Sequence, residues 1–120
     1  ILVNEQLEIT PKNYPLMIEK AKVLRGLEKT IAAEEILRDT LLRRNSDPSL
    51  WFLLSEIQKD ILNVAGYHQS RAEYFILLGQ NERALNELQF ALKLSQDNFQ
   101  TFEIIMTKIN NLREKLNKRI

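Results

Sequence analysis

Apolar residues along this chain recur at helical rather than strand spacing, and breaker residues between them are sparse, so the pattern predicts an all-helical fold. Residues 1–13, ending in Thr10-Pro11-Lys12-Asn13, read as a lead-in segment. From Tyr14, the positions Leu16, Met17, Ala21, Leu24 and Leu27 form one broad apolar face. A second helix is expected after Lys29, with Thr30 as its N-cap and Ala33, Ile36, Leu37, Thr40 and Leu41 as its face. Asn45-Ser46-Asp47-Pro48 stops that helix and starts the third. Asp47 can cap it, and Pro48 at the first helical position gives up an amide that would have had no partner anyway. The third helix is expected to about Leu62, the fourth from about Ala65 to Leu78, the fifth from Glu82 to Leu94, and the sixth from just after Asn98 to about Leu116. Connections this short favour antiparallel neighbours.

An internal period indicates what kind of helical array this is. The segment from Tyr14 to Asp47 spans one unit of about 34 residues. Within it Ala21, Leu24, Leu27, Ala33, Leu37 and Thr40, followed by Pro48, alternate small and large side chains as a tetratricopeptide repeat does. Trp51 stands three residues after Pro48 and Leu54 three later, matching the W-x₂-L opening of such a repeat and placing Trp51 in the core. The third unit is the clearest: Ala72, Phe75, Leu78-Gly79, Ala84-Leu85, Leu88 and Ala91-Leu92 repeat the sequence of volumes. Small residues at Ala72, Ala84 and Ala91 let adjacent helices approach closely. The pattern departs at Glu28, at Leu62, which stands where a turn glycine belongs, and at Tyr67, which stands where a small residue belongs. The fourth helix closes the second unit and opens the third. Residues 14–117 are therefore expected to form an all-α tetratricopeptide-repeat array of about six antiparallel helices, its last helix a cap kept wet by Arg113, Glu114, Lys115, Lys118 and Arg119.

Charge narrows the choice of partner. Seventeen Lys and Arg against sixteen Asp and Glu leave a formal charge of +1 over 120 residues, so no broad basic field advertises nucleic acid. Arg43-Arg44 and the basic residues from Lys115 to Arg119 are short groups at helix ends, where they oppose the helix dipole. No apolar run reaches membrane-spanning length. The chain contains no cysteine, which removes disulfides, thiol catalysis and thiolate zinc sites. It begins at Ile1 without a leader pattern, which suggests a processed chain or an excised fragment.

Catalytic chemistry finds little to work with. His68 is the single histidine, so neither HExxH nor a pair of histidine ligands can be built, and it reads as a helix-surface or groove residue. The three glycines at 26, 66 and 79 are isolated and form no phosphate cradle. Gly79 suits a left-handed helix C-terminus, whereas Gly66 marks either a close helix crossing or a softened helix start. Carboxylates mostly alternate with bases, as in Glu34-Glu35-Arg38-Asp39, and read as solvated faces with i,i+4 pairs. No catalytic residue, metal ligand or cofactor is assigned to this chain.

A binding surface is the remaining candidate. In a stack of helix pairs the first helix of each pair lines the concave side, and its outward positions meet a ligand. In this register those positions are Ile18, Lys22 and Arg25, then Phe52, Glu56 and Lys59, then Gln69, Glu73 and Ile76. Phe52 and Ile76 could seat an apolar side chain while Lys22, Arg25 and Lys59 orient a carboxylate or backbone carbonyls. The competing readings are packing of Phe52 on the preceding helix and a plain solvated face for Lys22 and Arg25.

The stretch from His68-Gln69-Ser70-Arg71-Ala72-Glu73-Tyr74-Phe75 through Leu78-Gly79, then Ala84-Leu85-Asn86-Glu87-Leu88-Gln89-Phe90-Ala91-Leu92-Lys93-Leu94, is more particular than generic repeat sequence. It resembles the C-terminal repeat domain of bacterial periplasmic zinc metallopeptidases of the BepA/YfgC type, with their H-Q-x-R-A-E-Y helix and a final helix ending near L-R-E, here Leu112-Arg113-Glu114. The resemblance covers about residues 14 to 116 and is strongest from His68 onward. It implies a tetratricopeptide array docked on its own protease domain in the periplasm, serving assembly and quality control of outer-membrane proteins. The implied partners are the assembly machinery or misfolded outer-membrane proteins. Zinc would belong to the catalytic domain, since no position here matches the family's zinc or general-base residues. Lys22 and Lys59 also lack the asparagine partners that capture C-terminal carboxylates in some repeat proteins.

The expected function is thus a protein–protein interaction module, the non-catalytic part of such a protease. The alternative is a stand-alone helical-repeat adaptor, and a third possibility is a groove filled by a segment of the parent or by another copy. A bulky residue at Ala72 or Ala84 is expected to cost about 1–3 kcal/mol through overpacking, measured by chemical denaturation. Neutral substitutions would break the register.

Overall fold

The computed structural model describes residues 14–118, in which six α-helices are joined by short turns. They are α1 (Tyr14–Gly26), α2 (Thr30–Arg43), α3 (Pro48–Asp60), α4 (Val64–Leu77), α5 (Asn81–Lys93) and α6 (Phe99–Asn117). No strand occurs among the described residues. The expected lead-in, residues 1–13, and the terminal Arg119 lie outside them. The chain divides after Asn45 into two compact units: α1 packs on α2 in the first, and α3 to α6 pack each on the next in the second. This is the sequential stacking of helical-repeat architectures in general.

Three of the connections are made the same way. At the end of α1 the amide of Lys29 donates to the Leu24 carbonyl at 2.8 Å and that of Glu28 to the Arg25 carbonyl at 3.0 Å. After α3 the amide of Asn63 donates to Gln58 and that of Leu62 to Lys59; after α4 the amide of Gln80 donates to Phe75 and that of Gly79 to Ile76. Each pair of bonds satisfies two orphan carbonyls at the helix end and reverses the chain, as in a Schellman motif. The motif needs one residue at positive φ, and those residues are Glu28 (62°), Leu62 (59°) and Gly79 (75°). Leu62 therefore does occupy the turn-glycine position, at the steric cost of a Cβ there.

Helix starts use side chains where the sequence provides them. Asp47 Oδ1 accepts from the Ser49 amide, Asn63 Oδ1 from that of Gly66, and Asn98 Oδ1 from that of Thr101. Pro48 is the first residue of α3, as expected. Thr30 is not the cap of α2: Lys29 holds that position and makes no side-chain cap bond, because the tight turn after Glu28 brings the helix in one residue early.

In the first unit Ala21, Ala33, Leu37, Thr40 and Leu41 are buried. The buried Thr40 hydroxyl donates to the Ile36 carbonyl of its own helix at 2.8 Å and faces Met17 Sδ at 3.9 Å, so it packs without an unmet donor. Leu27, expected on the α1 face, lies beyond the helix end and is exposed. The core of the second unit joins Ala72 and Phe75 of α4 to Ala84, Leu88 and Ala91 of α5 and Ile105, Ile109 and Leu112 of α6. The three alanines are fully buried, consistent with close approach at small residues. Trp51 is half-buried rather than central; the interior of α3 is made instead by Leu50, Leu54 and Ile57.

A polar seam binds α3 to α4. The Ser70 hydroxyl donates to Gln58 Oε1 at 2.6 Å with both residues buried. A Cβ on Gly66 would come within 2.5 Å of the Asn63 side chain and 2.7 Å of Gln58. Gly66 therefore marks a close crossing, leaving room for two side-chain amides over the first turn of α4.

Replacing Leu62 by Gly is expected to stabilise the chain by about 1 kcal/mol, and Gly79→Ala to destabilise it by a similar amount. Denaturation of the two variants beside the parent chain checks both signs. Nothing lies within 4 Å of a Cβ at Gly79, so its effect isolates the backbone conformation.

Candidate functional site

The nine positions expected to line a groove fall in both units. Ile18, Lys22 and Arg25 lie on α1, with Lys22 exposed and the other two half-buried. Phe52, Glu56 and Lys59 share one face of α3, and Gln69, Glu73 and Ile76 one face of α4. These α3 residues are spaced away from the interior set of Leu50, Leu54 and Ile57. The partly exposed Phe52 ring leans on Tyr74 of α4 at 5.5 Å between centroids, a tilted aromatic contact that limits its freedom. Lys59 Nζ lies 3.7 Å from Glu56 on the same helix. Gln69 bonds its own helix through the Ala65 carbonyl.

Two members of the set are engaged by the fold itself. Glu73 Oε1 takes Lys108 Nζ of α6 at 2.9 Å, reaching past α5 in sequence to tie the first and last helices of the α4–α6 core. Ile76 is half-buried against that core. The structure therefore brings Phe52, Glu56 and Lys59 together as an open strip of α3, with Gln69 on the neighbouring helix.

A second constellation joins α4 to α5, and of its members the sequence had weighed only His68 for chemistry. His68 Nδ1 lies 2.5 Å from Glu87 Oε2, and Arg71 Nε donates to Glu87 Oε1 at 3.1 Å. One carboxylate is thus shared by two bases, and all three side chains are mostly shielded from water. The His68 ring also stacks on Phe90 at 5.2 Å, and Tyr67 meets its edge at 5.1 Å. The Arg71 guanidinium lies over Tyr67 at 5.3 Å and over Phe75 at 5.2 Å, while that of Arg83 approaches Phe75 at 5.8 Å. Such contacts combine ring quadrupole attraction with apolar cover.

These contacts form a ladder. Phe75 with Arg83, Arg71 with Glu87, and His68 with Phe90 each pair residues equally far before and after Gly79. Helical spacing gives the two faces of the ladder, and the fold supplies their pairing. Positions 64, 68, 71 and 75 make one face of α4, positions 83, 87 and 90 one face of α5 with Leu94 just past its end, and a tight turn at Gly79 sets them opposite each other.

The ladder has the chemistry of a structural clamp. Among the described residues no group of three or more histidine, cysteine, aspartate or glutamate side chains could hold a metal ion, and no helix is long and apolar enough to cross a membrane. The chain matches no family model, no curated protein and no solved structure. What stands is the architectural class, an all-α array of sequentially packed helices.

Glu87→Ala is expected to lower stability by about 1.5–3 kcal/mol, because it strips a charged hydrogen-bond partner from both His68 and Arg71. Glu56→Ala, which breaks only an exposed pair within one helix, should change it by less than about 0.5 kcal/mol. Thermal or urea denaturation of the two variants measures the contrast.

Proposed function

We propose that this chain is a protein-binding helical-repeat module acting as a stand-alone adaptor. The observation that supports this best is the α3 strip. Phe52 is exposed yet braced by Tyr74, and Glu56 and Lys59 continue its face while Leu50, Leu54 and Ile57 build the interior. An aromatic ring braced in the open beside charged groups suits an anchor-and-orient contact with another protein. The face of α1 with Lys22 and Arg25 is a separate contact of the same kind.

The tetratricopeptide type is the narrower form of this reading. Its support is the Trp51-x₂-Leu54 opening, the buried Ala72, Ala84 and Ala91, and the left-handed residues Glu28 and Leu62, which stand one repeat of about 34 residues apart. A role as the substrate-handling part of a periplasmic zinc protease rests on the sequence resemblance over about residues 14 to 116, strongest from His68 onward, with no matching family or relative beside it, so the adaptor reading is preferred. A parent product carrying zinc would reverse that order.

A photoreactive phenylalanine analogue at position 52, installed in the natural cell, is expected to give a defined heterologous adduct, whereas the same group at exposed Asn86 gives none. Reversing charge at Lys59, or at Lys22 with Arg25, should weaken capture of that partner while leaving helicity unchanged. Equal labelling from positions 52 and 86, or indifference to every reversal, would remove the assigned face.

A further inference from the structure

The end of the second unit where α3 finishes, α4 begins, α5 finishes and α6 begins collects large apolar side chains in solvent. Leu62 is 82% exposed, Val64 45%, Phe90 52%, Leu94 54% and Phe99 76%. Helices α3 to α6 each fold back on the next, so these residues share one end of the unit, and the Gly79-centred register that stacks His68 on Phe90 puts Val64 and Leu94 at matching positions four residues further out. Leu62 is the telling member. It sits in a left-handed turn where Gly79 does the same job without strain, so its side chain costs backbone energy and exposes apolar surface at once.

We infer that this apolar end is the contact by which two copies of the chain associate about a twofold axis. Area supports a second copy as the occupant. The five exposed side chains offer on the order of 500 Å² per copy, the size of a functional patch. A standard interface buries about 800 Å² per partner, a little over half of it apolar. Charge supports it as well. The rim at this end has both signs, exposed Lys93 on α5 and Asp97 in the turn before α6, so a twofold copy can set lysine against aspartate. A net charge of +1 leaves little repulsion between copies. This contact uses the end of α3 near Leu62 and leaves Phe52, near the start of that helix, open, so the Phe52 anchor of the adaptor reading is tested separately.

Sedimentation velocity of the full chain between about 1 and 200 µM tests it, a range that brackets a micromolar dissociation constant. A monomer–dimer equilibrium is expected. Leu62→Gly should raise the melting temperature and weaken the dimer by about tenfold or more. Phe99→Ser should weaken it without loss of helicity, and Phe52→Ala should leave it unchanged. A monomer at every concentration would overturn the inference, as would a dimer insensitive to both Leu62→Gly and Phe99→Ser. Growth into larger species would overturn the twofold arrangement, because a closed isologous contact stops at two.

Discussion

Reversing a helix within three residues requires one residue to leave the right-handed conformation, and three connections in this chain meet that requirement with the same two backbone hydrogen bonds. Much of the rest depends on it. A turn this short leaves the second helix no choice but to run back along the first, and it also sets which residues face each other. Around Gly79 the consequence is explicit: the Phe75–Arg83, Arg71–Glu87 and His68–Phe90 contacts each pair positions equally distant from the turn. Lengthening the connection by one residue would carry Glu87 about 100° around its helix relative to Arg71 and His68.

The turns and the packing support one another. Alanines at 72, 84 and 91 allow the second unit's helices to come close, and larger residues from α6 fill the interior between them. Polar groups inside this packing are answered locally: Ser70 by Gln58, Thr40 by its own helix, and no buried side-chain nitrogen or oxygen among the described residues lacks a partner. Because buried polar groups are costly only when unmet, the α3–α4 interface can hold a glutamine and a serine and gain directional specificity from them.

The surface divides between groups used by the fold and groups left open. Glu73 looks like a groove residue by position, yet it is spent on Lys108 across the core helices. Phe52 has the same helical register as Glu56 and Lys59 and remains accessible, since its ring contact with Tyr74 braces it from the side. At the helix ends, Leu62 and Phe99 are exposed because a turn residue and a first helical residue have no neighbouring helix to cover them.

Spacing of apolar positions was enough to read all six helices to within a residue or two, together with the Asp47–Pro48 start and the left-handed Gly79, because those features depend on neighbours along the chain. Leu62 was legible as an oddity, a large residue in a glycine's place, and its positive φ follows from turn geometry alone. What spacing could not decide were matters of distance between helices. Thr30 lost the cap to Lys29 because the preceding turn closed early, and Trp51 stayed half-buried because Leu50, Leu54 and Ile57 filled the α3 interior. Glu87 became the shared partner of His68 and Arg71 only once α5 folded back on α4. Helix, turn and cap are local in the backbone and were written in the sequence. Which carboxylate meets which base is set by the antiparallel register, and only the tertiary structure decides that.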